Sequence, residues 1–343
     1  MPDSTPTAGT AATAVTDATE LSGPAGTGAG AGAVRAVAYD RHGPPDVLAP
    51  TTVRVPEPGP GQIRLAVRTA GVNPLDYKIR SGEVRELREL FPVPLPHVPG
   101  IEAAGVVTAV GPDVADLSVG DEVFGRTLTG SYAEQALAEA RCVAHRPPTL
   151  GWAEAASVPT AAETAVRCFD ELGLAAGETL LLHAAAGSVG TLATQLAVAR
   201  GVRVIGTASA RNHAYLRALG ATPVTYGEGL AERVRAVAPG GVDAALDGAQ
   251  RDGSTAVSVE LTGGTGRVVA IADIGQAERD GVAFSGNSAL DYARSALDEA
   301  LALHTAGTLR LPVQRFHPLA DARLAHEESE LGHMRGKLVL IVQ

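Results

Sequence analysis

Apolar positions follow two different rhythms along this chain. In its second half they come as short unbroken runs, Thr179-Leu180-Leu181-Leu182, Val202-Arg203-Val204-Ile205-Gly206, Pro223 to Tyr226, Asp243 to Asp247, Arg267 to Ile271 and Val282 to Ser285. Such runs suit strands buried on both faces of a parallel sheet, and the stretches between them carry helical spacing. Six strands with crossovers predict a doubly wound sheet. In the first half Gln62-Ile63-Arg64-Leu65-Ala66-Val67-Arg68 alternates strictly, which buries one face and wets the other. With Val34–Tyr39, Gly105–Gly111 and turns at Pro58-Gly59-Pro60-Gly61 and Gly111-Pro112-Asp113, this predicts an irregular antiparallel β domain.

The run at Thr179 passes through His183-Ala184-Ala185-Ala186-Gly187-Ser188-Val189-Gly190 into a helix expected to reach about Arg200. Strand, glycine-bearing turn, helix and strand make a dinucleotide-binding unit. Gly187 lets backbone approach a pyrophosphate, Gly190 lets the helix lie close to the sheet, and the helix N-terminus offers N–H groups to the anion. Ala184 stands where the first glycine of the fingerprint belongs. The next strand ends in Thr207-Ala208-Ser209-Ala210-Arg211-Asn212, with an arginine and no acid for a ribose 2′-hydroxyl. That pattern suits a 2′-phosphate and predicts NADP(H) rather than NAD(H).

At 343 residues the chain is long enough for two domains. A net charge of −10 without a basic block argues against nucleic acid and anionic membrane, leaving small-molecule partners. No window reaches the roughly 18 apolar residues of a spanning helix, and the first basic residue is Arg35, so a cytoplasmic protein is expected. Cys142 and Cys168 are lone and supply no metal cluster. Residues 1–33, mostly Ala, Gly, Thr, Ser and Pro, read as a disordered tail. Only Lys78 and Lys337 are lysines, so these two positions are candidates for a specific need for an ammonium.

Several segments together resemble the medium-chain dehydrogenase/reductase superfamily, and within it the zinc-free quinone oxidoreductase-like branch. They are Ala70-Gly71-Val72-Asn73-Pro74-Leu75-Asp76-Tyr77-Lys78-Ile79-Arg80-Ser81-Gly82, Pro99 to Gly105, Val119 to Gly125, the nucleotide turn, and Gly336-Lys337-Leu338-Val339-Leu340. The resemblance implies an α/β protein with a GroES-like β-rich catalytic domain (34–157 and 292–343), a Rossmann domain (158–291), an active site between them and a homodimer. Asn73 and Ile101 stand where zinc-dependent relatives carry cysteine and histidine, so no metal is expected.

For the cofactor the resemblance assigns Ala186, Ser188 and Val189 to the pyrophosphate loop and Ser209, Arg211 and Tyr226 to the 2′-phosphate. It assigns Thr164 to the nicotinamide ribose, and Asn287 and Lys337 to the nicotinamide end. Ser188 replaces a usual glycine, and its hydroxyl either donates to a phosphate or crowds the turn. The implied reaction carries hydride from NADPH to a quinone or to the conjugated double bond of an enone. Asn73, Tyr77 and Lys78 then offer an amide, a phenol and an ammonium, with Tyr77 or Lys78 as oxyanion donor or proton source. Two alternatives stand beside it: an enoyl-thioester reductase of a polyketide or fatty-acid pathway, and a non-redox cyclase, isomerase or ligand sensor on the same fold.

Overall fold

The computed structural model describes residues 32–82, 92–249, 253–286 and 290–343. Asn287 and nearly all of the tail, residues 1–31, lie outside them.

The six apolar runs form one parallel sheet: β8 (Thr179–His183), β9 (Arg203–Thr207), β10 (Thr222–Val224), β11 (Ala244–Asp247), β12 (Val268–Ala270) and β13 (Ala283–Phe284). Their order is β10-β9-β8-β11-β12-β13. The chain reverses its winding between β8 and β11, and in such sheets ligands bind outside the C-terminal strand ends at that switch. Leu180, Leu181 and Leu182 are all buried because helices cover both faces. Helices Pro159–Glu171, Ser188–Ala199 and Ala293–Thr305 meet on one face, where Ala165, Leu192, Ala296 and Leu297 share a core cluster with Leu180 and Leu182.

The β-rich half is built on β3 (Gln62–Val72), flanked by β4 (Glu102–Val110) and by β15 (Lys337–Ile341), both antiparallel to it. The sheet continues outward through β5 (Glu122–Arg126) and β7 (Val143–His145) on one side and β14 (Val313–Pro318) on the other, while β6 (Gln135–Glu139) pairs β3. Separately, β1 (Val34–Ala38) and β2 (Ala49–Val53) form a two-stranded sheet. The alternation over 62–68 is present, with Ile63, Leu65 and Val67 fully buried. The strand runs four residues past it because Thr69–Val72 pair with Leu338–Ile341 from the end of the chain. The architecture is therefore a GroES-like β domain joined to a Rossmann-type parallel sheet.

Candidate active site and nucleotide cleft

A cleft of about 1220 Å³ opens at the C-terminal edge of the parallel sheet, walled by Ala186 and Gly187, by Ser209 and Arg211, and by Tyr226. These residues leave the ends of β8, β9 and β10, so the strand order alone brings the three turns together. Helix Ser188–Ala199 starts from Gly187 in extended backbone (φ −73°, ψ 179°). At Gly187 an added Cβ would meet only Ala184 O, at 3.4 Å, so the approach to the backbone is open. At Gly190 it would sit 2.4 Å from that carbonyl, so glycine is obligatory there. Ala184 adopts φ 55°, the left-handed conformation a glycine would take, and thereby keeps the turn in shape despite its methyl group. The open backbone cradle at Gly187 and the roughly 1220 Å³ of the cleft fit a dinucleotide.

The C-terminal segment closes this cleft from the other half. Arg211 donates through Nη2 to His333 O at 3.1 Å, and Gly336 N donates to Ala186 O at 3.1 Å. Gly336 has φ 78°, and a Cβ on it would lie 1.9 Å from Pro312 O. Ser188 and Val189 are half-buried at the helix start, and Thr164 is buried in helix Pro159–Glu171.

Asn73 lies behind the cleft at the N-terminus of helix Pro74–Ser81, which its own sequence specifies. Pro74 supplies the first helical φ, and Asn73 N donates to Asp76 Oδ2 at 2.8 Å, a carboxylate at the third helical position. Gly82, at φ 65°, ends the helix. The Asn73 amide is held on both sides: Nδ2 donates to Glu102 Oε1 at 2.7 Å, and Oδ1 accepts from Lys337 Nζ at 2.6 Å. Lys337 also pairs with Glu102 Oε1 at 2.5 Å, and Thr160 N donates to Glu102 Oε2 at 2.8 Å. Gly71 makes room for this carboxylate, since its missing Cβ would lie 2.4 Å from Glu102 Oε1.

Asn73, Glu102 and Lys337 are buried, so charge here must be matched by charge. Burial pushes the Glu102 carboxyl up, but the Lys337 ammonium and its hydrogen bonds outweigh that and hold it below the usual range. Asp76 has no such partner, and burial raises it to about 6 against the pull of the Asn73 N–H and Lys337. Tyr132 donates to Asp76 Oδ2 at 3.2 Å and its hydroxyl also meets His326 Nε2 at 3.3 Å.

Tyr77 and Lys78 leave the same helix half-buried. Lys78 Nζ reaches across to the parallel-sheet half and donates to Ala272 O at 2.6 Å. Burial lowers its pKa to about 8, with the neighbouring Asp273 carboxylate opposing the shift. The structure thus brings Asn73 and Lys337 into one cluster, sets Lys78 across the boundary between the halves, and gathers Ser209, Arg211 and Tyr226 in the wall of one cleft. Sequence reasoning gave no role to Glu102, Asp76, Tyr132 or Thr160. Glu102 had a signal in Gly100-Ile101-Glu102, whereas Tyr132 and Thr160 join only through the fold. Among the described residues no group of three His, Cys, Asp or Glu side chains is placed to hold a metal, and no helix is long and apolar enough to cross a membrane.

Comparison with known proteins agrees with this architecture. Residues 59–167 match the alcohol dehydrogenase GroES-like domain and residues 219–340 a zinc-binding dehydrogenase family. The chain is 38% identical over 304 residues to the pikromycin polyketide synthase component PikAII of Streptomyces venezuelae, covering 83% of this chain and 8% of that protein. It is 37% identical over 200 residues to 2-methylene-furan-3-one reductase of Solanum lycopersicum, covering 55% of this chain and 50% of the relative. It therefore spans half or less of the length of these curated relatives. Among solved structures, the quinone oxidoreductase from Coxiella burnetii is 31% identical with a TM-score of 0.76, over 91% of this chain and 100% of that one. The Escherichia coli quinone oxidoreductase complexed with NADPH is 27% identical with a TM-score of 0.77, over 90% and 100%. The chain belongs to the medium-chain dehydrogenase/reductase superfamily, in its quinone oxidoreductase-like branch. It is an oxidoreductase of that family, and the neighbours it resembles include a quinone oxidoreductase complexed with NADPH.

Proposed function

We propose that this chain is an NADPH-dependent, zinc-independent reductase of conjugated carbonyl compounds, enones or quinones. The observation that carries the reading is Lys78. Its ammonium spans the boundary between the halves and, with a pKa of about 8, is charged at neutral pH yet can release a proton. The name of the tomato relative, a 2-methylene-furan-3-one reductase, describes a substrate of this kind.

In this reading Ala186, Gly187, Ser188, Val189 and Gly190 hold the pyrophosphate, Ser209, Arg211 and Tyr226 the 2′-phosphate, and Thr164 and Asn287 the nicotinamide end. NADPH, when bound, supplies the hydride. Lys78 Nζ leaves Ala272 O to meet the oxygen on which negative charge develops, where a positioned donor in a water-poor site acts most strongly. Tyr77, one residue before it, is the second donor and a source of the proton that an enolate takes up. Asn73 has both ends of its amide committed to Glu102 and Lys337, so it fixes the start of the helix that carries Tyr77 and Lys78. Lys337 acts with Glu102 as the anchor of that arrangement. Where zinc-dependent relatives place ligands, this chain has an occupied amide and the aliphatic Ile101, so the oxygen must be met by hydrogen-bond donors.

The domain division at 34–157 with 292–343 and at 158–291 belongs to the same proposal, with helix Ala293–Thr305 packed on the Rossmann side. So do a homodimer and a cytoplasmic site of action, the latter consistent with two buried free cysteines. A second reading, reduction of an enoyl thioester, is favoured by the alignment with a polyketide synthase component over most of this chain. The test is NADPH oxidation against quinones, short enones and crotonyl thioesters, with zinc content measured alongside. Turnover of enones or quinones above thioesters supports the first reading. The opposite ranking supports the second, and turnover of none of them, or loss of activity on chelation of a bound zinc, overturns both.

A further inference from the structure

We infer that Arg233 is a positioning residue for discrimination between NADPH and NADH, an inference that rests on the 2′-phosphate reading above. Arg233 stands in helix Leu230–Val237, behind the loop that follows β10. Its guanidinium donates to three main-chain carbonyls of that loop: Nε to Thr225 O at 2.9 Å, Nη1 to Glu228 O at 2.8 Å and Nη2 to Gly227 O at 3.1 Å. Tyr226, Gly227 and Glu228 line the nucleotide cleft, whereas Arg233 does not.

The loop has little stiffness of its own. Gly227 and Gly229 both take left-handed φ, 93° and 71°, and glycine gives up the most conformational freedom when it is fixed. One planar fork with several donors can gather three carbonyls at once, and an ammonium cannot reproduce that geometry. Two consequences follow for the cofactor. Tyr226, which lines the same cleft as Ser209 and Arg211, lies between two clamped carbonyls, those of Thr225 and Gly227, and Glu228, also in the cleft wall, is held by its own carbonyl. A loop released from the fork no longer fixes Tyr226 in the cleft wall and leaves the Glu228 carboxylate free to come against a phosphate dianion, a like-charge contact that NADH does not meet.

The test uses the full chain and its Arg233→Met, Arg233→Lys and Arg211→Ala variants, titrated with 2′,5′-ADP, NADPH and NADH. Both Arg233 variants are expected to weaken 2′,5′-ADP and NADPH about tenfold while NADH stays within about twofold. Unchanged NADPH binding in Arg233→Met, or equal losses for NADPH and NADH, overturns the inference. Wild-type binding in Arg233→Lys beside a loss in Arg233→Met overturns it too, since charge and not the fork would then matter. If Arg211→Ala keeps full preference for NADPH, the 2′-phosphate reading fails and this inference with it. A selective loss in Arg211→Ala without one in Arg233→Met removes the inference alone.

Discussion

The cleft wall at the ends of β8, β9 and β10 and the polar cluster built on Asn73 are assembled in contrasting ways. Gly187, Ser209 and Tyr226 follow three successive strands, β8, β9 and β10, and face the cleft because parallel strands deliver their C-terminal loops to one edge. The Asn73 cluster is drawn from β3, β4, a helix start and β15, and Lys337 meets Asn73 across 264 positions of sequence. One region lies at the water-exposed edge of the sheet, with side chains held by backbone carbonyls of neighbouring loops rather than by buried counter-charges. The other is dry, and removing one member strands the charge of another.

The sharpest way to break this contrast is Lys337→Met. Leaving the Glu102 carboxylate buried without its counter-charge should cost about 3–5 kcal/mol, read by urea denaturation. The double variant with Glu102→Gln should recover much of that, and a single variant as stable as wild type would show that the cluster is not coupled. Next is Lys78→Met, which should lower kcat about a hundredfold with NADPH affinity intact, because the lost interaction forms only as charge develops. Since burial lowers the Lys78 pKa to about 8, the ammonium is present below that pH and lost above it. Wild-type kcat should accordingly fall through pH 8 and the variant's should not.

Arg211→Ala should weaken NADPH by about 1.5–3 kcal/mol, or ten- to a hundredfold, and barely touch NADH. Titration of both cofactors decides it, and equal losses would remove the 2′-phosphate assignment. The smallest effect is expected at Ala184→Gly. Relieving a left-handed alanine at φ 55° should raise stability by up to about 1 kcal/mol and leave NADPH binding unchanged. A loss of cofactor binding there would mean that the methyl group takes part in the site.

The same contrast explains what was legible in the sequence. The apolar runs and Gly187, Gly190 and Arg211 are local signals, since strand, turn and helix start lie within a few residues of one another. Thus all six parallel strands stand close to where the periodicity puts them. The extension of β3 to Val72 was not legible, because its partner Leu338–Ile341 lies at the other end of the chain. Lys337 stood out as one of two lysines, but nothing near it in sequence announces Glu102 as its counter-charge. Arg233 carried no signal at all, since a side chain that serves backbone carbonyls leaves no motif.

The contact between Ala186 and Gly336 has a mechanical consequence. Gly187 and Gly336 form an isolated parallel bridge, and Gly336 N is bonded to Ala186 O. A rotation of one half against the other that keeps this bond must use it as a fulcrum. Displacement then grows with distance from Gly336, so Lys337, the adjacent residue, travels least. Such a pivot would keep Lys337, and with it the anchor at Asn73 of the helix that carries Lys78, nearly still.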